Sequence, residues 1–238
     1  IQSILNKIKM PYTHSGANAS TIAMNKLLTK NYLGQFSKNT EEHIVFPKNY
    51  EFKSLNEYRK FLPLVLKPIS GGSSVEVNIL NNKDDLNYVK DKIFSNLFIV
   101  EPLVGNRELT VSVLENKPLV VTEIISKKNF FYDYNSKYSL NGSLHILPAK
   151  IPEAIYNKAT KWAKLAHELL GCSGISRSDF RYDDSNNTLY MLEINTQPGM
   201  TKTSLSPEQA EYCGITLTEL VEKLISKAKF ELSLIHIS

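Results

Sequence analysis

The amino-acid sequence predicts a mixed fold, α/β or α+β, rather than an all-helical or an all-β one. Strand-like segments such as Leu64–Pro68 are interleaved with helix-like segments such as 83–94, which is typical of mixed folds. Three strand-like segments, 97–101, 108–114 and 119–125, then follow one another, and a turn-like stretch joins the last two. We therefore expect an antiparallel sheet.

The helical elements are indicated by spacing and by their end signals. Apolar residues at helical spacing predict a first helix over 18–30. A later helix has Pro152 at its first position and Gly171 just past its end, both of which favour these places. Thr216, with Glu219 three residues later, forms a capping-box pattern that opens a final helix.

Composition excludes several classes of protein. The 238 residues are 42% hydrophobic, which is enough for a packed core. The net charge of +4 is spread along the chain, so a nucleic-acid partner is not expected. The two cysteines, Cys172 and Cys213, form no CxxC pair, and the apolar stretches are too short to span a bilayer. These observations predict a soluble cytoplasmic protein that does not bind membranes.

The first candidate site is a hairpin whose two strands carry polar residues. If the strands pair symmetrically, Arg177 lies opposite Glu193 and Asp179 opposite Met191. Because side chains alternate between faces, Arg177, Asp179, Glu193 and Asn195 then project from one side. Carboxylate and amide oxygens suit Mg²⁺. The alternative is a solvated sheet face with a structural Arg–Glu pair.

A glycine-serine loop follows the strand that ends near Lys67. The loop, residues 69–74, allows backbone N–H groups and hydroxyls to approach phosphate oxygens, and Lys67 supplies a positive charge. Loops of this composition are also common as ordinary turns. The loop therefore indicates a phosphate site only in combination with other motifs.

A third candidate site is the extended segment that includes Glu101, Leu103 and Glu108. Free backbone groups in such a segment can hydrogen-bond the edge of a purine, and a nearby carboxylate can accept from ribose hydroxyls. Taken alone, the segment is equally an ordinary strand exit.

Two further segments lack regular periodicity. The stretch 126–148 is rich in aromatic residues, which is typical of a lid or a binding loop, although Phe130 and Tyr134 could simply pack on the sheet. After Asn195 the chain enters a Pro-Gly turn, where the N–H of Gly199 could face a developing oxyanion and Ser204 could reach the same place.

Six motifs follow one another along the chain: Pro11-Tyr12-Thr13-x-Ser15-Gly16, Lys67-Pro-x-x-x-Gly72-Ser73-Ser74-Val75, Glu101 with Glu108, Tyr132-Asp133-Tyr134-x-x-Lys137-Tyr138, Arg177-x-Asp179-Phe180 and Glu193-x-Asn195-Thr196-x-Pro198-Gly199-Met200-Thr201. Taken in order, these motifs resemble the signatures of D-alanine–D-alanine ligases over nearly the whole chain.

The resemblance implies an ATP-grasp fold of the α+β class, in which two subdomains with mainly antiparallel sheets clasp the nucleotide. We expect a central subdomain over 10–105 and a catalytic subdomain over 106–230. Gly71 and His14 depart from the residues common in the family, and the family's amino-terminal domain is expected to be missing, with the residues that orient the first D-alanine.

The resemblance also implies roles for individual residues. Lys26 and Lys67 would contact phosphates, Phe131 and Leu192 would border adenine, Leu103 would offer its backbone, and Glu108 would hold ribose. The remaining nucleotide-binding residues would be Ser74, Glu101 and Lys137. Asp179, Glu193 and Asn195 would hold two Mg²⁺ ions, with Mn²⁺ as a substitute. The catalytic residues would be Ser73, Tyr138, Arg177, Gly199 and Ser204.

The implied reaction is ATP-driven synthesis of D-alanyl-D-alanine for peptidoglycan. The carboxylate of one D-alanine attacks the γ-phosphate, and the amine of a second D-alanine displaces phosphate from the resulting acyl phosphate. The expected partners are D-alanine and ATP, and a homodimer is among the expected assemblies. The alternatives are a truncated, impaired ATP-binding remnant and another ATP-grasp carboxylate–amine ligase.

Overall fold

A computed structural model of the chain describes residues 1–38, 40–72, 75–126 and 143–231. Within these ranges the helices are α1 Gln2–Lys7, α2 Ala17–Met24, α3 Lys26–Ser37, α4 Leu55–Arg59, α5 Lys83–Tyr88, α6 Lys90–Ile93, α7 Glu153–Leu169, α8 Leu205–Tyr212 and α9 Leu217–Ser226. The strands are β1 Leu64–Pro68, β2 Asn78–Leu80, β3 Phe98–Pro102, β4 Arg107–Leu114, β5 Lys117–Pro118, β6 Thr122–Ser126, β7 Ser143–Ile146, β8 Ile175–Asp183 and β9 Thr188–Asn195.

The strands form two antiparallel sheets, which confirms the predicted α+β class. The smaller sheet has the order β2-β1-β3, and the larger sheet has the order β7-β6-β4-β8-β9, with β5 paired to β4. In the described part of the chain, no helix is long and apolar enough to cross a bilayer.

The main core lies between α7 and the larger sheet. Trp162 of α7 is buried among residues that include Phe180 of β8 and Met191 of β9. The predicted position of Gly171 just past the helix is confirmed, with φ +64°, whereas Pro152 is the N-cap residue rather than the predicted first helical residue, since α7 begins at Glu153. The apolar faces of α7 and the larger sheet therefore pack against each other, and the polar side of the hairpin lies on the opposite face of the sheet.

The predicted helix over 18–30 is wrong in one respect, since the chain divides it at Asn25. The Asn25 side-chain oxygen accepts a hydrogen bond from the N–H of Leu28 at 3.0 Å, so Asn25 caps a new helix. The N–H of Lys26 donates to the carbonyl of Ile69 at 2.8 Å. This break ties the start of α3 to the loop that follows β1.

Two other element boundaries differ from the prediction. The predicted helix 83–94 is divided into α5 and α6. The predicted strand 119–125 begins only at Thr122, because the chain first closes a hairpin in which Glu115 and Asn116 have φ values of 48° and 66°. Positive φ values at both central residues are typical of tight hairpin turns.

The two sheets have separate hydrophobic cores. Leu64 and Leu66 of β1 are buried in the core of the smaller sheet. Leu33 of α3 and Ile44 are buried in the core of the larger sheet, so α3 packs with the larger sheet although it precedes the smaller one in sequence. The subdomain division between residues 105 and 106 stays a prediction.

One buried histidine makes the stability of this fold dependent on pH. His167 of α7 is 1% exposed, and its Nδ1 lies 2.7 Å from the Ser176 hydroxyl. Burial lowers the pKa of His167 to about 4, whereas histidine in an unfolded chain titrates near 6.5. Between these values the unfolded chain binds a proton that the folded chain does not bind, so the free energy of unfolding decreases as the pH falls.

Protonation of His167 in the unfolded chain accounts for about 3 kcal/mol of the decrease in the free energy of unfolding between pH 6.5 and 4. We predict that this part of the decrease is absent in His167→Gln. Urea unfolding at several pH values measures this loss, and His43→Gln serves as the control because His43 is exposed. An unchanged pH dependence in the His167 variant would contradict the assignment.

Candidate active site

The polar face of the β8–β9 hairpin has a different register from the predicted one. Arg177 lies opposite Asn195, and Asp179 lies opposite Glu193 rather than opposite Met191. The predicted pairing was therefore wrong by two residues for these positions. A shift of two preserves the alternation of faces, so all four polar residues still project from one side of the sheet.

The register changes at a β-bulge between Asp179 and Phe180. Phe180 lies opposite Met191 while Asp179 lies opposite Glu193, which leaves Leu192 as the additional residue of β9. A bulge lets two successive residues face the same side. Leu192 and Glu193 accordingly both line the cleft between the two sheets.

Arg177 and Asp179 form a two-bonded ion pair on this face. The guanidinium donates from Nε and Nη2 to the two carboxylate oxygens at 2.9 and 2.8 Å. The Thr110 hydroxyl of β4 donates to Asp179 Oδ1 at 2.7 Å. Charge-assisted bonds of this kind orient both side chains. The partner of Arg177 in this pair is an aspartate, whereas the alternative predicted an Arg–Glu pair.

The cleft between the two sheets is lined by charged and apolar side chains from both sides. The smaller sheet and its following loop contribute Lys67, Pro68, Gly71, Gly72, Val75 and Val77, and the larger sheet and α3 contribute Lys26, Glu108, Asp179, Leu192 and Glu193. The predicted site residues Lys26, Lys67, Glu108, Asp179, Leu192 and Glu193 are therefore brought together in one place.

Lysines surround two carboxylates at this cleft. Lys26 Nζ donates to the carbonyl of Gly71 at 3.0 Å and lies 3.9 Å from Glu193. Glu101 is 1% exposed and forms ion pairs with Lys30 and Lys67. Lys30 was missed by the sequence reasoning, because one lysine on an amphipathic helix gives no signal of a partner.

Glu101 contacts two lysines rather than facing the cleft directly. It was predicted to bind nucleotide, but its carboxylate is buried beneath Lys67 and is not among the residues that line the cleft. Burial lowers the pKa of Lys30 and lowers that of Lys67 to about 8, and Glu193 partly opposes the lowering at Lys67. A bound anion would favour the charged form of these lysines.

The segment after β3 is held by an arginine that the sequence reasoning also missed. Arg181 of β8 donates to the carbonyls of Val104 and Gly105 at 3.3 and 2.9 Å and lies 3.4 Å from Glu108. The N–H of Leu103 donates to the Pro63 carbonyl. The Leu103 N–H is therefore already used inside the protein, and the proposed backbone contact to adenine would have to come from another group of this segment.

Gly199 and Ser204 lie side by side at the start of α8. A methyl group added to Gly199 would lie 2.8 Å from the Ser204 hydroxyl oxygen, so only glycine fits without a shift. That hydroxyl also accepts a hydrogen bond from the Thr201 N–H at 3.1 Å. The sequence prediction that both residues reach the same place is confirmed for their mutual contact, and their catalytic roles stay predictions.

Five predicted site residues lie outside the described ranges: Ser73, Ser74, Phe131, Lys137 and Tyr138. Their roles stay predictions. His145 lies on β7, and its Nδ1 is 2.7 Å from a carboxylate oxygen of Glu208 of α8.

The oxygens of Asp179, Glu193 and Asn195 fit a hard cation. Two carboxylates and one amide lie on adjacent strands, and they leave coordination positions for phosphate oxygens and water, as Mg²⁺ requires. Within the described residues there is no cluster of three or more histidine, cysteine or carboxylate side chains that could hold a metal ion alone.

Comparisons with known proteins agree with this geometry. The family model described as "D-ala D-ala ligase C-terminus" matches residues 34–226. The D-alanine–D-alanine ligase of Gluconobacter oxydans is 41% identical over 232 residues, and the match spans 96% of this chain and 75% of that protein. The corresponding ligase of Rhodospirillum rubrum is 43% identical, with 96% and 74% covered. The chain belongs to the D-alanine–D-alanine ligase family.

Solved structures of this ligase family share the fold. A crystal structure of the D-alanine–D-alanine ligase from Bacillus anthracis has a TM-score of 0.76 at 29% identity and covers 94% of this chain and 73% of that one. The structure of the same enzyme complexed with ATP has a TM-score of 0.75 at 28% identity, with 94% and 72% covered. The expected ATP-grasp fold of the D-alanine–D-alanine ligases is thereby confirmed.

The buried lysine–glutamate cluster yields a stability prediction. Lys30→Met leaves Glu101 with one fewer counter-charge in a buried position, so we expect the free energy of unfolding to fall by about 3 kcal/mol. Adding Glu101→Gln removes the uncompensated carboxylate, and the double variant should recover part of this loss. Urea unfolding measures both changes.

The matched control for this pair is Lys161→Met, which removes an exposed partner of Glu42 and should leave the unfolding midpoint unchanged. Strictly additive effects of the two substitutions at Lys30 and Glu101 would show that the two side chains do not interact.

Proposed function

We propose that the chain catalyses the ATP-dependent ligation of two D-alanine molecules to D-alanyl-D-alanine, a peptidoglycan precursor, with ADP and phosphate as the other products. The observation that carries this proposal is the arrangement of the cleft. The polar face that carries the Arg177–Asp179 pair lies at the same cleft as the buried lysines Lys26 and Lys67. This arrangement suits a reaction that develops negative charge on phosphoryl and acyl oxygens.

Lys26 and Lys67 are the proposed ligands of the ATP phosphates. Both line the cleft, both are less than a tenth exposed, and they come from different layers of the molecule. A triphosphate between them would supply the negative charge that their burial makes favourable. Leu192, Val75 and Val77 supply apolar surface in the same cleft, which is suitable for the adenine ring.

Asp179, Glu193 and Asn195 are the proposed ligands of Mg²⁺, with Mn²⁺ as a substitute. When bound, such ions neutralise charge on the transferred phosphoryl group. Thr110 and Arg177 orient Asp179 through hydrogen bonds. The side-chain oxygen of Asn195 accepts a hydrogen bond from the N–H of Gln197 at 2.9 Å. These contacts restrict the rotamers of the two side chains before a ligand arrives.

The proposed chemistry has two steps. A carboxylate oxygen of the first D-alanine attacks the γ-phosphorus, the bond to the β-phosphate oxygen breaks, and ADP leaves. The amine of the second D-alanine then attacks the acyl carbon, the carbon–oxygen bond to phosphate breaks, and the amine loses a proton. Arg177 and the N–H of Gly199 would stabilise the oxyanion, and Ser204 would bind the carboxylate of the second D-alanine.

The proposal also includes the setting of the enzyme. We expect it to act in the cytoplasm on free D-alanine and ATP and to bind neither nucleic acid nor membrane, with a homodimer among the expected assemblies.

We predict D-alanine-dependent release of phosphate from ATP in the presence of Mg²⁺, and a decrease of about 100-fold with Arg177→Lys. A lysine cannot make the two parallel bonds that the guanidinium makes with Asp179. A phosphate-release assay, run beside a nucleotide titration on the same protein, measures both properties.

Arg107→Lys is the matched control for this substitution, because Arg107 forms an equivalent pair with Glu123 at 2.7 Å and does not line the cleft. It should retain phosphate release. ATP binding without D-alanine-dependent release in the unmodified chain would point to a binding remnant, and loss of release in the Arg107 variant alone would contradict the assignment of Arg177.

A further inference from the structure

A fully buried glutamine holds α8 against the larger sheet. Gln209 is 0% exposed, and its side-chain amide makes three hydrogen bonds. The oxygen accepts from the N–H of Ser112 at 2.7 Å, and the nitrogen donates to the carbonyl of Thr110 at 3.1 Å and to the hydroxyl of Thr122 at 2.9 Å. Gln209 has no part in the proposed chemistry.

The amide of Gln209 takes the place of a strand's peptide group. The ladder between β4 and β6 ends at the pair Thr110–Thr122. Beyond it, one side-chain amide bonds the Ser112 N–H and the Thr110 carbonyl, as the peptide group of a neighbouring strand would. Leaving these buried groups without partners would be costly, so the sheet requires a group with this shape and polarity.

Two further contacts restrict the position of α8. The hydroxyls of Ser206 and Ser112 are 2.7 Å apart and fully buried. Leu205 packs against Ile124. The three directional bonds of Gln209 and these contacts set how deeply the helix sits and how it is rotated about its axis.

These contacts hold the first two turns of α8, and the proposed substrate ligand Ser204 lies at the start of the same helix. Ser204 is the residue before the first turn of α8 and lies against Gly199. On the sheet side, Thr110 bonds both Gln209, through its carbonyl, and Asp179, through its hydroxyl. A continuous path of hydrogen bonds therefore relates the placement of α8 to the Arg177–Asp179 pair.

The surface contact of α8 is a weaker candidate for this role. Glu208 pairs with His145 at 2.7 Å, but the Glu208 side chain is 36% exposed. Exposed ion pairs contribute little because water and salt screen them. The buried amide is the contact that specifies the position of the helix.

We propose that Gln209 is a positioning residue for the second D-alanine, acting through the location of Ser204 next to Gly199. This inference rests on the proposed function of the cleft. A shift of about 1 Å at a substrate-binding group is enough to reduce activity strongly. The proposed phosphate and adenine contacts of Lys26, Lys67 and Leu192 come from α3, β1 and β9 rather than from α8.

The test compares Gln209→Met, which preserves volume but removes the amide, with Gln35→Met, the same change at an exposed position of α3. We expect the Gln209 variant to require about 10-fold more D-alanine for half-maximal phosphate release at saturating ATP, while its ATP affinity stays at the level of the Gln35 variant. An unchanged D-alanine requirement would overturn the proposal, as would an equal loss of ATP affinity, which indicates general unfolding.

A milder variant covers the case in which Gln209→Met does not fold. Thr122→Val removes only one of the three bonds and should change the D-alanine requirement in the same direction by a smaller factor. An unchanged D-alanine requirement in a folded Thr122 variant would count against the proposal.

Crystal structures of the folded variants separate this inference from the proposed function. We expect Ser204 to be displaced from Gly199, whether or not the unmodified chain releases phosphate. Absence of D-alanine-dependent release in the unmodified chain would reject the proposed function alone, and an unmoved Ser204 would reject the role of Gln209 alone.

Discussion

The pairing of β8 with β9 is the constraint on which the rest of the site depends. It places Asp179 opposite Glu193 and Arg177 opposite Asn195, and it buries the alternate residues against α7. One face of the hairpin is apolar because it packs on the core, and since side chains alternate between faces, the polar residues lie together on the other face. The bulge at Asp179 adds Leu192 to the same side as Glu193, so charge and apolar surface meet in one cleft. Lys67 of the smaller sheet completes this cleft from the opposite side.

Much of the fold could be predicted because its signals are local. Pro152 and Gly171 bracket a helix, and Thr216 and Glu219 cap another by the expected reciprocal bonds. The division at Asn25 could not be predicted with the same ease, because helical periodicity continues through it. What decides there is a tertiary contact between the N–H of Lys26 and the carbonyl of Ile69.

The residues of the candidate site could be predicted from the sequence, but the contacts between them could not. Alternation along two strands was enough to group Arg177 and Asp179 with their neighbours. The register at these residues was wrong by two because the turn pairs Asp183 with Thr188 rather than with Asn187 and the bulge adds one more residue, and neither leaves a periodic signal. Lys30 and Gln209 could not be predicted because their partners are distant in sequence. Glu101 lies 71 residues after Lys30, and Ser112 lies 97 residues before Gln209. Buried polar contacts between distant segments become visible only once the chain is folded.

The most direct test of the account uses D-alanine labelled with ¹⁸O in its carboxylate. If a D-alanine carboxylate oxygen attacks the γ-phosphorus and the carbon–oxygen bond later breaks, that oxygen leaves with phosphate. Mass spectrometry of the phosphate released with ATP and Mg²⁺ should therefore find ¹⁸O in it. Phosphate that is released at the same rate but carries only oxygen from ATP and water would contradict an acyl phosphate and the role assigned to the cleft.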